Sequence, residues 1–283
     1  MANTNAAKKE ALASTTYIHA ATASDKGGVG KSFWDRFKIE FLRKLGKEVA
    51  AYDTDGGTGS LARILGQRDQ NGDLLPPEDQ DPLIGVKSFN IRKQRTRDEF
   101  LNTAAFPAAI VQLDLPGGGF DALSEIADRG EESLHGVFQA VINEGRTAVI
   151  DHVIHHEDES TESVARYLDA TEGLPVVHCA ILNMRDADSK ADFEMWYGFT
   201  DENREKIGGR TRERLLANGG FEIIMPKLAS GAASRIKRYG LTFEAACTDK
   251  RLTVAQRAQV SRWYQDMTKA VLDNQPFRKL YGI

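Results

Sequence analysis

Ser24-Asp25-Lys26-Gly27-Gly28-Val29-Gly30-Lys31-Ser32 is the stretch whose reading decides the fold. Residues 16–22 before it read as a strand, and Phe33 to Leu45 after it read as a helix. A glycine-rich turn between strand and helix is the setting of a phosphate-binding loop. Glycines let successive backbone N–H groups turn toward one point, and the helix N-terminus adds its partial positive charge. In such a loop the amides of Gly27, Gly28, Val29, Gly30, Lys31, Ser32 and Phe33 face the phosphates. Lys31 reaches the β- and γ-phosphates of ATP, and the Ser32 hydroxyl sits on Mg²⁺. The plain alternative is a glycine-rich turn with two solvated lysines, and the flanking strand and helix count against it.

Outward from the loop, strands and helices alternate. Residues 47–53, 85–91, 108–114, 147–153, 175–183 and 221–225 read as strands. Helices are expected near 60–65, 96–105, 121–144, 161–170, 189–218 (mostly helical, interrupted near Gly208-Gly209), 230–239, 242–246 and 254–272, and the polar stretch 66–82 reads as an exposed insertion. Such alternation predicts an α/β P-loop NTPase fold, a mostly parallel sheet with helices on both faces in a three-layer αβα arrangement. Ligands bind such sheets at the carboxyl ends of the strands. Nothing splits the chain, so residues 1–15 are expected to be a flexible extension and 16–283 a single domain.

The chain has 283 residues, 41% apolar and 28% charged, with a formal net charge of −4. That excludes a global polycation, and no apolar run is long enough for a transmembrane span. Two distant cysteines, Cys179 and Cys247, suit a reduced, cytoplasmic protein. The charge is uneven: residues 235–283 carry ten Lys/Arg against four Asp/Glu. A basic C-terminal quarter on an acidic body points to a polyanionic partner.

Two strand ends carry acids suited to a nucleotide site. Asp114 ends an apolar strand before Leu115-Pro116-Gly117-Gly118-Gly119, where a carboxylate would hold Mg²⁺; a capping aspartate is the bland reading. Asp53 and Asp55 end the second strand, with an Asx-stabilised turn as the alternative.

The order Lys26-Gly27-Gly28-Val29-Gly30-Lys31-Ser32, Asp53-Thr54-Asp55, Asp114-Leu115-Pro116-Gly117-Gly118, Asn183 and Pro226 resembles the ParA/MinD family of deviant Walker A ATPases over about residues 17–246. The resemblance implies an ATP-dependent homodimer in which Lys26 reaches the partner's nucleotide. It implies that Asp55 positions the attacking water, that Asp53 supports the metal with Ser32 and Asp114, and that Asn183 and Pro226 meet the adenine. Gly56-Gly57 stands where the family often has Pro-Gln, a departure that loosens this switch. The nearest look is that of ParA-like ATPases of plasmid partition and conjugative transfer. These imply slow ATP hydrolysis stimulated by a partner protein, with non-specific DNA bound by Arg235, Lys237 and Arg238 and a nucleoid-associated location if DNA is bound.

Rivals are a MinD-like membrane-cycling ATPase, a dethiobiotin-synthetase-like enzyme and a nucleotide-binding adaptor that does not hydrolyse. An iron–sulfur reductase of this class is excluded, because neither cysteine lies in a suitable loop. Val260, Trp263, Tyr264, Met267 and Val271 form a helical stripe that suits a docked helix better than a membrane-bound one, although the end, 277–281, could touch a membrane weakly. His152, His155, His156, Glu157 and Asp158 invite a metal reading, but lying in one segment without a distant partner they read as a polar loop.

Overall fold

The computed structural model describes residues 16–56, 60–126 and 131–283. The expected extension 1–15 and Gly57 of the second-strand turn lie outside the described residues.

Seven strands form one parallel sheet: β1 (Ile18–Ala23), β2 (Val49–Asp53), β3 (Lys87–Ser88), β4 (Ile110–Asp114), β5 (Thr147–Ile154), β6 (Val177–Asn183) and β9 (Phe221–Met225). Their order is β3-β2-β4-β1-β5-β6-β9. The helices used below are α1 (Lys31–Lys44), α2 (Ser60–Leu65), α3 (Gly119–Ser124), α4 (Glu131–Asn143), α5 (Asp158–Ala170), α6 (Arg210–Ala217), α7 (Ser230–Arg238), α8 (Val254–Asp273) and α9 (Gln275–Tyr281). The expected three-layer α/β architecture is what the chain adopts.

The strand period of two explains the layers. Along β1, Ile18 and Ala20 join a core with α1, α7, α8 and α9, while Ala21 and Ala23 join a second core with α4. Because β1 is central, both its faces are buried, and its residues read as one apolar run with small side chains. Helix α1 lies between the sheet and the C-terminal helices, so it buries most of its circumference, including Trp34, Phe37 and Phe41. It also buries Lys38, whose ammonium meets Asp151 Oδ2 at 2.5 Å, with Trp34 Nε1 donating to the same oxygen at 3.0 Å.

Register then brings the strand ends together. Thr22 of β1 pairs with Asp114 of β4, and Asp53 of β2 pairs with Asp114 on the other side. Asn183 of β6 pairs with Met225 of β9, next to Pro226.

Several expectations change. The helix expected over 121–144 is two, α3 and α4. The helical stretch expected over 189–218 holds a turn of helix (Glu194–Tyr197), an antiparallel hairpin of β7 (Phe199–Thr200) and β8 (Lys206–Ile207), and then α6. Gly198, Gly208 and Gly209 bracket this hairpin at positive φ, and a Cβ on Gly208 would stand 2.9 Å from the Met195 carbonyl oxygen. The insertion 66–82 is tied down by Gln80, whose buried amide bonds the Gln67 backbone on both sides. The stripe of α8 docks as expected: Val260, Trp263, Met267 and Val271 are buried behind a Thr253/Gln256 capping box. The suggested weak membrane contact at 277–281 gives way, because Phe277 and Tyr281 are buried in the core as well. Among the described residues no helix is long and apolar enough to cross a membrane.

Candidate active site

The loop after β1 curls through two positive-φ glycines, Gly28 at 79° and Gly30 at 105°. Gly30 starts α1 and leaves no room for a side chain, since a Cβ there would stand 2.6 Å from Asn183 Nδ2. Phe33 N and Trp34 N bond the Gly30 carbonyl, which fixes the first turn. The Lys31 ammonium donates to the carbonyls of Ser24 (3.1 Å) and Lys26 (3.2 Å). Burial lowers its pKa, and the carboxylates of Asp114 and Asp35 oppose that fall. Such a cation gains from an anion placed before it.

Loop, switch segments and the β6 and β9 ends enclose a cavity of about 580 Å³, lined among others by Lys31, Ser32, Asp114, Asn183, Pro226 and Lys237. The sequence-predicted residues therefore converge, with distinct environments. Asp114 is buried, its Oδ1 has no hydrogen-bond partner, and the Ser32 hydroxyl bonds its carboxyl. Burial first, then the charge of Asp53, pushes Asp114 up to about 7. An orphaned buried carboxylate oxygen beside a serine hydroxyl is a donor set that fits a hard, oxygen-loving cation such as Mg²⁺. Asp53 is occupied differently: Oδ1 accepts from Asp55 N and Oδ2 from Ala62 N, both at 3.2 Å. It therefore holds the switch backbone and the start of α2.

Asp55 forms a backbone bridge with Asn90, and its carboxylate meets Arg92 Nη1 at 2.6 Å. Arg92 Nη2 also donates to the Gly117 carbonyl. Arg92 thus links the loop after β2 to the loop after β4. Lys26 is ion-paired within its own chain to Glu157, with Glu159 at 3.9 Å. Its neighbour Asp25 is held by Arg166 at 3.1 Å and by Ser163 Oγ, which accepts from Asp25 N.

Asn183 is buried and engaged at both ends of its amide: Nδ2 donates to the Val29 carbonyl at 2.7 Å and Oδ1 accepts from Arg185 N at 3.0 Å. Pro226 lines the cavity and its carbonyl accepts from Trp263 Nε1. Phe33 packs edge-on against Phe243 and Trp263, and Val29 is buried in the same core. Arg235, Lys237 and Arg238 are exposed on α7, with Lys237 alone of the three lining the cavity.

Sequence reasoning missed Arg92, Arg166, Arg185 and Asp35. Arg185 Nη1 donates to the Gly28 carbonyl at 2.7 Å. Asp35, buried under the loop, accepts from Thr22 and Gln112, and burial holds its pKa well above the carboxylate range. The Thr22–Asp35 spacing across the loop was the one available signal. The five-residue histidine segment also divides. His152 stacks on His178 inside the core with Nε2···Nδ1 at 2.9 Å. His155, His156 and Glu157 stay together at the surface end of β5.

No protein-family model and no curated protein matches the chain. Solved structures do. MinD of Pyrococcus horikoshii with Mg-ADP is 16% identical over 92% of this chain and 100% of its own, with a TM-score of 0.46. A nucleotide-binding protein of Archaeoglobus fulgidus with ADP is 17% identical over 82% and 89%, TM-score 0.42. A candidate plasmid partition protein of Borrelia burgdorferi with AMPPNP is 11% identical over 89% and 99%, TM-score 0.44.

Proposed function

We propose that this chain is a Mg²⁺-dependent ATPase of the ParA/MinD kind. It would switch between an ATP-bound dimer and an ADP-bound monomer, and serve plasmid partition or the positioning of transfer machinery. The observation that carries this reading is the convergence of Lys31, Ser32, Asp114 and Asn183 on one cavity, with a second loop lysine, Lys26, next in sequence to the loop glycines that line it and ion-paired to Glu157.

The loop amides and Lys31 would bind the β- and γ-phosphates, exchanging Lys31's contacts with the Ser24 and Lys26 carbonyls for phosphate oxygens. Ser32 and Asp114 would hold Mg²⁺, which neutralises phosphate charge when bound. Asp55 would orient the attacking water once Arg92 yields its carboxylate. Asp53 keeps Asp55 in range through the backbone bond between them. Lys26 of the partner subunit would add positive charge where the transition state gathers negative charge. For that, the ion pair between Lys26 and Glu157 must open. Pairing of Lys26 in its own chain would keep unaided turnover slow, and opening it is a task suited to a stimulating partner protein.

Exposed Arg235 and Arg238 on α7 favour duplex DNA as the surface on which the dimer works. Lys237, on the same helix, lines the cavity, which supports a coupling between nucleotide and DNA.

Size in solution tests the proposal. With a non-hydrolysable ATP analogue the chain should dimerise and bind duplex DNA, with affinity falling steeply as salt rises; with ADP it should be a monomer. Lys26→Ala should bind nucleotide but neither dimerise nor release phosphate. A Lys26→Ala protein that dimerises and hydrolyses like wild type refutes the role given to that lysine. Pelleting with anionic vesicles but no DNA binding would favour the membrane-cycling rival.

A further inference from the structure

At the carboxyl end of β5, beside Lys26 of the phosphate loop, one metal-competent atom each of His155, His156 and Glu157 lies within 4.8 Å of the others. The two imidazole rings stand with centroids 4.1 Å apart. His155 is only 7% exposed. Its Nε2 meets Asp186 Oδ2 at 3.1 Å, which places the ring proton on Nε2 and leaves the lone pair on Nδ1. That Nδ1 is buried without a hydrogen-bond partner, and so is Nδ1 of His156. Two buried imidazole nitrogens left unsatisfied are costly in a folded protein and are the kind of atom a metal ion takes as ligand. A carboxylate behind an imidazole is the arrangement that orients metal-binding histidines and strengthens them as donors. Asp158, Asp186, Asp188 and Asp192 line the same hollow and favour a cation there.

We propose that His155, His156 and Glu157 bind a divalent transition-metal ion of the Zn²⁺ or Co²⁺ type, with Asp186 positioning His155. Two imidazoles and one carboxylate suit such ions better than Mg²⁺, which prefers oxygen ligands alone. The site is therefore chemically distinct from Ser32 and Asp114. Glu157 is also the ion-pair partner of Lys26, so a bound ion and the Lys26 ammonium compete for one carboxylate. Metal occupancy would loosen Lys26 from its own chain. The site itself does not depend on the ATPase reading.

The test uses the full chain, stripped with a chelator, free of nucleotide and kept in excess Mg²⁺ so that the oxygen site is blocked. Titration with Co²⁺ should give one equivalent bound, with visible absorption bands of a histidine-ligated ion that Zn²⁺ displaces. Asp186→Asn should weaken binding by about 10–100-fold, and His156→Ala should weaken it more. Asp114→Asn should leave binding intact, and Lys26→Ala should tighten it. Far-UV circular dichroism checks folding. Should His156→Ala not fold, protection of His155 and His156 from diethyl pyrocarbonate by Co²⁺ in the wild type decides the question. No uptake, uptake unchanged in folded His156→Ala, uptake lost in Asp114→Asn, or no protection of the histidines overturns the proposal.

Discussion

Gly30→Ala separates two costs that the loop geometry keeps apart. Gly30 lies at φ 105° and ψ 18°. A residue with a Cβ loses about 1–2 kcal/mol in left-handed backbone. In addition, the new Cβ would stand 2.6 Å from Asn183 Nδ2, so the amide must move and its 2.7 Å bond to the Val29 carbonyl is lost. A net intramolecular hydrogen bond contributes about 0.5–1.5 kcal/mol, so the two effects together come to about 1.5–3.5 kcal/mol. Gly28 is the internal comparison. It too has positive φ, 79°, but a Cβ there meets nothing within 4 Å, so only the backbone cost of about 1–2 kcal/mol applies. Urea unfolding of Gly28→Ala, Gly30→Ala, Asn183→Ala and the Gly30→Ala/Asn183→Ala double variant measures each cost. Asn183→Ala removes the atom that the new methyl strikes, so the double variant should lose less than the sum of the singles. Equal losses for Gly28→Ala and Gly30→Ala, or strict additivity in the double, would refute the reasoning. Fluorescent-nucleotide binding should fall with Gly30→Ala, because the loop amides proposed to hold phosphate follow the same turn.

Three further outcomes follow from the buried charges and the switch. Asp114, pushed up to about 7 mainly by burial, holds its proton more tightly folded than unfolded, so its contribution to stability is full below its ordinary pKa of 3.8 and is lost as pH rises through about 7. Urea midpoints of Asp114→Asn between pH 5 and 8 should fall less with pH than those of wild type, though Asp35 and Asp53, raised in the same direction, keep some slope; parallel slopes would count against it. Lys38→Met strands the Asp151 carboxylate in the core and should cost about 3–5 kcal/mol, whereas Lys38→Met/Asp151→Asn, which removes that charge, should recover a large part of the loss in the same assay. Arg92→Ala frees Asp55 and the Gly117 carbonyl from one another and should raise the unstimulated rate of phosphate release while leaving nucleotide affinity nearly unchanged; an unchanged rate would show that the clamp does not limit turnover.

What the chain announced in one dimension was the set of strand ends. Asp53, Asp114 and Asn183 each close a strand-like run; the strand ends singled out the two aspartates, the family resemblance singled out Asn183, and the parallel register then placed the aspartates side by side. The arginines gave no such signal. Arg92 reaches a carbonyl 25 residues away and Arg185 one 157 residues away, and nothing local distinguishes them from solvated charges. Asp186 is the same case for the histidines: it stands 31 residues from His155, and only the pairing of β5 with β6 makes them neighbours. The hairpin at 199–207 was hidden because its strands are two residues long, too short for any alternation to show.

The two outer strands of the sheet have a consequence for how copies of this chain can meet. Strand β3 offers an edge only two residues long, carrying exposed Lys87. At the opposite margin, Asn274 Nδ2 donates to the Glu222 carbonyl of β9, and Arg212 grips the Glu222 carboxylate. Short, charged or side-chain-capped margins are how proteins discourage strand-to-strand adhesion. A second copy could extend this sheet only by lengthening β3 or expelling Asn274. Self-association by backbone zippering is thereby discouraged at both margins, and an association governed by what the loops hold is left as the easier route.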